Sequence, residues 1–125
     1  MYKDFYDLPI WREGYDLLMK VYNATDLFPS IEKFSLASQI NRSANSIIAN
    51  VAESHGRYNF ADKVRVLYIS RGEICETRSH LSVAYGRKYI NSSQFEELNS
   101  KYCQLTKNLN LYINSLLNKN NLASN

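Results

Sequence analysis

Apolar residues recur along this chain at steps of three and four positions, which is the spacing of one face of an α-helix. Four segments carry the pattern, and short stretches without it separate them. The segments span about residues 8–27, 35–54, 60–87 and 93–117. No segment shows the strict alternation of apolar and polar residues that indicates a half-buried β-strand. The pattern therefore predicts an all-α protein.

Capping and helix-breaking residues mark the ends of these segments. Asp7 and Pro9 favour a helix start at the first segment. Gly56 is typical of the position just past a helix C-terminus, and it follows the second segment. Ser93 and Glu96 stand three residues apart before an apolar run, so they predict a capping box at the start of the fourth segment.

The short connections determine the expected topology. Long helices joined by only a few residues must lie beside each other and run antiparallel. We therefore expect one domain, an antiparallel up-down-up-down four-helix bundle, over residues 8–117. Residues 1–7 are expected to form an N-terminal tail. The Asn-rich residues 118–125 are expected to form a frayed C-terminal tail.

Composition excludes several classes of protein. The 125 residues are 45% hydrophobic and 22% charged, with four glycines and two prolines, which excludes a disordered, collagen-like or disulfide-scaffold chain. Apolar runs are too short to predict a membrane span, and the N-terminus does not resemble a signal peptide. We therefore expect a cytoplasmic protein without a membrane partner. Cys75 and Cys103 are expected to be buried as small apolar side chains.

Positive charge is concentrated in the middle of the chain. The net charge of +3 is too small to indicate a nucleic-acid-binding protein, but residues 42–88 contain eight basic and four acidic residues. Most of the eight are arginines, whose planar guanidinium matches phosphate. A solvated face with internal ion pairs is the alternative. The candidate phosphate contacts are Arg42, Arg57, Lys63, Arg65, Arg87 and Lys88.

Aromatic residues adjoin two of these basic positions. Tyr58 follows Arg57, and Tyr89 follows Lys88. Both tyrosines lie at predicted connections between helices, where a ring can stack on an unpaired nucleotide. Ordinary packing is the alternative interpretation for each.

A second set of polar residues needs partners inside the bundle or between copies of it. Arg71 and Arg78 fall on an apolar stripe, and burying an unpaired charge costs several kcal/mol. We expect acids such as Glu53 or Glu76 to meet them, or their guanidinium groups to reach solvent. The candidates for a polar network or subunit interface are Asn50, Glu53, Arg71, Glu76 and Arg78.

The residues that could support catalysis do not form a known pattern. Glu73, Glu76 and His80 share a helix face, but di-iron bundles use a Glu-x-x-His motif on two helices, which this spacing does not match. No nucleophile motif or phosphate-cradling glycine loop occurs. We therefore expect no enzyme activity, no catalytic residue, no metal and no cofactor.

Three strings of residues carry a family resemblance. They are LASQINRSA at 36–44, SIIANVAE at 46–53 and LYISRGEICET at 67–77. Together with Ile10-Trp11 they resemble the small bacterial four-helix-bundle proteins encoded in 23S ribosomal RNA intervening sequences, over roughly residues 8–117. Ser54 stands where the family signature usually has Gly, and Glu73 where it usually has Ser.

The resemblance implies properties that the residues alone do not. Members of the family are homo-oligomers, typically rings of five, and carry no established catalytic activity. The family is similar to the accessory variability determinant of diversity-generating retroelements, a basic pentamer that engages nucleic acid and a reverse transcriptase. We therefore expect a non-enzymatic homo-oligomer that associates with RNA or another nucleic acid. A protein-interaction scaffold, in which the arginines serve subunit or partner contacts, is the alternative.

Overall fold

The described residues fold into four α-helices, as the sequence pattern predicts. The computed structural model describes residues 2–124, with side chains for residues 2–121. No strand occurs within residues 2–124. Short 3-10 helices span Phe5–Asp7 and Ser30–Glu32. The α-helices are α1 (Pro9–Thr25), α2 (Leu36–Gly56), α3 (Phe60–Gly86) and α4 (Ser92–Ser124).

The helices are arranged as a square, with each packing against two neighbours. α1 and α3 both contact α2 and α4, and the diagonal pairs make no close backbone contact among the described residues. Successive helices are therefore neighbours, which agrees with the predicted bundle. None of the helices in the described residues combines the length and apolar character that crossing a membrane requires.

Aliphatic side chains from all four helices fill the centre of the bundle. Burying one such side chain stabilises the fold by roughly 1.5–3 kcal/mol. At Gly14 the backbone of α1 lies close to the side chains of Ile48 on α2 and Leu105 on α4. The largest fully buried side chains include Ile40, Ile47, Leu67, Ile74, Leu81, Tyr102, Leu105 and Leu109.

Buried hydroxyl groups join α2 to α3 across this apolar core. The hydroxyls of Ser43 and Thr77 are 2.8 Å apart and hydrogen-bonded. Further along the two helices, the Ser70 hydroxyl donates to the carbonyl oxygen of Ile47 at 2.7 Å. All three side chains are fully buried. Each hydroxyl thus has the partner that a buried polar group requires.

The structure corrects two predicted helix caps. Leu8, not Asp7, occupies the N-cap position of α1, while the Asp7 carboxylate accepts from the Asp4 backbone N–H at 3.2 Å and closes a capping box on the first 3-10 helix. The predicted Ser93–Glu96 box is replaced by Asn91 and Gln94, which hydrogen-bond reciprocally at 2.8 and 2.9 Å. Because asparagine caps helices as well as serine does, the helix starts earlier than predicted.

The predicted C-terminal tail is also corrected. α4 continues to Ser124, whereas the Asn-rich sequence predicts fraying from residue 118. No glycine or proline follows Leu117, and adding residues to an established helix is favourable once it has been nucleated. Residues 118–121 have helical backbone with mostly exposed side chains. In the predicted N-terminal tail, Phe5–Asp7 is ordered against α1 and α2.

The prediction that both cysteines are buried is wrong. Cys75 is exposed on the outer side of α3, and Cys103 is only half-buried. The neighbouring Ile74 takes the core position of that helical turn, with its side chain fully buried. The small Cys75 side chain can therefore lie at the surface next to the buried face of α3.

Candidate nucleic-acid interface

The six candidate phosphate contacts lie in three separate places. Arg57, Lys63 and Arg65 surround the connection between α2 and α3, at the end of the bundle that we call the α2–α3 end. Arg87 and Lys88 lie at the opposite end, about 33 Å away along α3 at 1.5 Å per residue. Arg42 lies on α2 between the two ends. The structure therefore does not bring all six into one patch.

Two arginines at the α2–α3 end form exposed ion pairs with neighbours close by in the sequence. An Nη2 of Arg57 lies 3.1 Å from Oε1 of Glu53, and Nε of Arg65 lies 3.5 Å from Oδ1 of Asp62. Such surface pairs contribute about 0–1 kcal/mol. Each guanidinium also has further N–H donors, so both arginines can still contact an anion.

Lys63 has a structural role at the same end. Its ammonium donates to the backbone oxygens of Ser54 at 3.2 Å and His55 at 2.9 Å, which are among the last carbonyls of α2. Burial of the amino group lowers the pKa of Lys63 below its ordinary value. A cation at a helix C-terminus also complements the helix dipole. Lys63 therefore joins α2 to α3 as well as adding positive charge.

Arg42 belongs to a group of four titratable side chains that bridges α2 and α3. Its Nη2 lies 3.1 Å from Oε1 of Glu76, and Nε2 of His80 lies 3.7 Å from the same oxygen. Desolvation and the neighbouring Glu76 raise the pKa of Glu73. The hydrogen bond with Glu73 and the charge of Arg42 lower the pKa of Glu76. Arg42 is thus held in an ion pair between helices.

At the opposite end, Lys88 and the adjacent Tyr89 differ in their contacts. Lys88 has a left-handed backbone (φ 65°) and makes no side-chain hydrogen bond or ion pair with a described residue. The Tyr89 hydroxyl donates to Glu32 at 2.8 Å, and its ring packs on Phe28 at 5.2 Å between centroids. The Arg87 guanidinium lies 5.7 Å from the Tyr89 ring centroid. Tyr58 differs from Tyr89, because it is 95% exposed at the α2–α3 end.

The predicted acidic partners of Arg71 and Arg78 are wrong. Nη1 of Arg71 donates to Oδ1 of Asn110 at 2.9 Å, and Nε of Arg78 donates to Oδ1 of Asn99 at 2.8 Å. The Arg71 guanidinium also lies over the Tyr68 ring, 4.7 Å from its centroid. Both asparagines are on α4, so these arginines join α3 to α4 and are not free to bind phosphate with all their donors.

Asn50 and Glu53 make only local hydrogen bonds at the second half of α2. The Asn50 amide donates to the Ser46 backbone oxygen of its own helix at 2.8 Å. Glu53 accepts from Arg57 instead. Neither of these bonds reaches another helix, so Asn50 and Glu53 join no interhelical network within the described residues of one protomer.

No group of three or more His, Cys, Asp or Glu side chains in the described part of the chain is placed to hold a metal ion. Sequence reasoning missed the two asparagines that partner the arginines. It also missed three large apolar side chains between α1 and α2: Leu27, Ile31 and Phe34, which are 79%, 83% and 88% exposed. Ile31 and Phe34 stand between polar residues and Leu27 precedes Phe28, and no periodicity marks any of the three as exposed.

Comparison with known proteins identifies a matching family and a similar solved structure. The family model described as 23S rRNA-intervening sequence protein matches residues 6–111. The chain belongs to this family. The structure is similar, with a TM-score of 0.76 and 27% sequence identity, to the crystal structure of a protein with unknown function from the S23 ribosomal protein family of Bacteroides thetaiotaomicron VPI-5482. That similarity covers 83% of this chain and 97% of the other. No curated protein matches the chain.

Ser54 lies in the last turn of α2. The Ser54 side chain is buried, and its hydroxyl donates to the backbone oxygen of Val51 at 2.7 Å. The extra atoms therefore bring no unpaired polar group into the last turn of α2. Serine at this position is therefore compatible with the end of the helix.

Proposed function

We propose that this protein is a non-enzymatic, cytoplasmic homo-oligomer that associates with RNA or another nucleic acid through the α2–α3 end. The observation that carries the proposal is the convergence of Arg57, Lys63 and Arg65 around one connection between helices. The description of the family, 23S rRNA-intervening sequence protein, supports RNA as the partner class.

Energetics favour exchange of the existing ion pairs for phosphate. The pairs of Arg57 and Arg65 are exposed and join residues only three or four positions apart, so breaking them costs about 1 kcal/mol or less. A phosphate accepts charge-assisted hydrogen bonds from a guanidinium and releases condensed counterions on binding. The exchange is therefore favourable at low salt and weakens as salt rises.

Removing the two exposed arginine charges tests this interface. We expect Arg57→Gln with Arg65→Gln to weaken binding of a labelled structured RNA by about tenfold or more in fluorescence anisotropy. The log–log salt slope should become shallower by about 0.7–0.9 for each phosphate that the variant no longer neutralises. Lys107→Gln, an exposed change on α4, is the matched control and should bind as the parent protein does. No binding at low salt, or equal losses in both variants, would contradict the proposal.

The outer face of α3 supports assembly into a homo-oligomer. Tyr68, Ile69 and Val83 are each about half-exposed there. Gly72 lies on the same helix with open space around the position of a Cβ, so another helix can approach closely. A glycine inside a helix costs about 1 kcal/mol relative to alanine, and close packing between copies would offset that cost. The family resemblance favours a ring of five.

Light scattering of the purified protein tests the assembly. Five copies of the 14.5 kDa chain have a mass of about 73 kDa. We expect Gly72→Arg to lower the measured mass while the helical circular dichroism is retained, because the side chain has room in a single protomer. Ser100→Arg, on the exposed side of α4, should leave the mass unchanged. A mass of 14.5 kDa for the parent protein would refute the assembly.

A protein-interaction scaffold is the second candidate function. Leu27, Ile31 and Phe34 protrude from the connection between α1 and α2, and exposed apolar clusters mark interaction sites. Replacing all three with serine should release a protein that co-purifies from native cells and leave RNA binding intact. Arginine variants that release RNA but retain a co-purified protein would favour the nucleic-acid function.

A further inference from the structure

A cavity of about 360 Å³ opens at the α2–α3 end. Its size falls within the range of about 300–1,000 Å³ that is typical of small-molecule sites. The N-terminal segment, the end of α2, the start of α3 and the last turns of α4 all contribute to its wall. The lining residues that matter here are Tyr2, His55, Phe60, Lys63, Tyr112 and Lys119. We call it the aromatic–basic cavity.

The charge of the lining points to an anion. Lys63 and Lys119 are both present, with the His55 ring beside them, and no carboxylate lines the aromatic–basic cavity among the described residues. Four other cavities in the described residues each include at least one carboxylate. The nearby Glu53 is already bound to Arg57. This cavity thus differs from those four in carrying positive charge alone.

Lys63 is held in a position to contact such an anion. Two backbone oxygens at the end of α2 accept from its ammonium, at 2.9 and 3.2 Å. An ammonium has three N–H donors, so one remains for a ligand. The partial burial that lowers the pKa of Lys63 also strengthens any ion pair formed there. Lys119 makes no side-chain hydrogen bond or ion pair with a described residue and can complete the contact.

The aromatic side chains supply a surface for a flat ring. Phe60 and Tyr112 are partly buried and pack against the core, so their rings are held in place. Tyr2 lines the same cavity as Tyr112, so a third aromatic side chain contributes to its wall. Aromatic side chains fixed beside cations are the arrangement that proteins use to stack unpaired bases.

We infer that the aromatic–basic cavity binds one unpaired nucleotide, with the base stacked on the Phe60 or Tyr112 ring and the phosphate contacting Lys63 and Lys119. The inference deepens the proposed function and rests on it for the source of the nucleotide, a nucleic-acid strand. A free mononucleotide has the same chemistry and is distinguished by experiment.

Binding of a short single-stranded oligoadenylate, of adenosine monophosphate and of adenosine to the full-length protein tests this inference. We expect Tyr112→Leu, which removes the ring and keeps apolar volume, to weaken oligoadenylate binding by about fivefold or more in fluorescence anisotropy. Tyr112→Phe keeps the ring and should bind as the parent does. Lys119→Gln should weaken binding and reduce the salt slope by about 0.7. Lys107→Gln is the control for loss of one α4 charge.

The outcomes separate the cavity from the proposed function. Oligoadenylate binding that is unaffected by Tyr112→Leu and Lys119→Gln but weakened by Arg57→Gln with Arg65→Gln overturns the cavity and leaves the function. Monophosphate binding that depends on Tyr112 and Lys119, with no oligoadenylate or RNA binding, supports the cavity and overturns the function. If none of the three probes binds, the cavity inference fails. Lys119 is exposed, so its variant remains informative where Tyr112→Leu fails to fold.

Discussion

At Gly14 the backbone of α1 comes very close to side chains of two neighbouring helices. A Cβ at this position would collide with the Ile48 side chain and lie 3.7 Å from Leu105. Both side chains are buried, so neither can move away into solvent. The glycine here permits a close approach between helices, and its cost in helix stability is offset by that packing.

Gly14→Ala should therefore destabilise the fold. We expect the free energy of unfolding in urea to fall by about 1–3 kcal/mol, the usual penalty for overpacking a core. Gly56→Ala is the matched control, because nothing lies within 4 Å of the corresponding Cβ position. An equal effect of the two changes would mean that α1 and α2 are not in close contact.

Tyr102 carries the most deeply buried phenol of the described residues. Its side chain is fully buried, and its hydroxyl has no hydrogen-bond partner. Burial raises the pKa of Tyr102 far above its ordinary value. An unpaired buried hydroxyl costs about 1–3 kcal/mol, so this residue lowers the stability that its ring provides.

Tyr102→Phe should accordingly stabilise the protein. Removing the hydroxyl removes the desolvation cost and leaves the ring in the core, and we expect a gain of about 1 kcal/mol in the free energy of unfolding. Tyr89→Phe makes the same chemical change where the hydroxyl donates to Glu32, and it should lower stability instead. A decrease for the Tyr102 variant would show that its hydroxyl has a partner in solution.

At the scale of the helices, α1 and α4 are joined at the surface by one carboxylate between two lysines. Oε1 of Glu97 accepts from Lys20 at 2.7 Å and from Lys101 at 3.0 Å. The hydrogen bond from Lys20, with that from Lys101, lowers the pKa of Glu97 to about 2. An unfolded glutamate titrates near pH ~4.3, so folding favours the charged form.

The stability of the protein should therefore fall in acid partly through Glu97. A carboxylate whose pKa is lower in the folded state contributes fully above the unfolded pKa, and the contribution is lost as the pH falls towards about 2. We expect Glu97→Gln to flatten the decline in melting temperature between about pH 4.5 and 2. Glu96→Gln, whose side chain forms no ion pair with a described residue, should keep the parent profile.

Helix positions were predictable because the apolar stripes are long, but helix caps were not. Ser93 and Asn91 are both good capping residues, and only the reciprocal bonds with Gln94 decide between them. The partners of Arg71 and Arg78 depend on the axial register between α3 and α4. Periodicity predicts which helix faces meet but not their axial register. The sequence therefore favoured acidic partners for the arginines over the asparagines that they contact.

At the scale of the whole molecule, α4 extends beyond the core that it completes. Leu116 and Leu117 are its last side chains packed against the hydrophobic core among the described residues, and residues 118 and 119 are exposed. Replacing Asn118 and Lys119 with alanine should change the free energy of unfolding by about 0.5 kcal/mol or less, measured in urea, because both side chains are exposed. A decrease of several kcal/mol would show that the last turns of α4 pack against the fold.

The family and the all-helical architecture could be predicted, because both depend on patterns within single segments. The aromatic–basic cavity could not, since Tyr2, Phe60 and Lys119 are far apart in sequence and meet only in the folded bundle. The same is true of the separation between Arg65 and Arg87, which appear as one basic region along the chain. Counting charges along the sequence does not show that these two arginines lie near opposite ends of α3.

The buried hydroxyls between α2 and α3 restrict how this bundle can change shape. Sliding one helix past the other by a single turn would break the Ser43–Thr77 bond, although both hydroxyls would keep a backbone oxygen of their own helix. The Ser70 hydroxyl donates across to Ile47, so it would lose its partner in an apolar interior at a cost of about 1–3 kcal/mol. These two helices should move as one rigid body. A rearrangement that accompanies assembly or ligand capture would therefore move α1 and α4 relative to the α2–α3 pair.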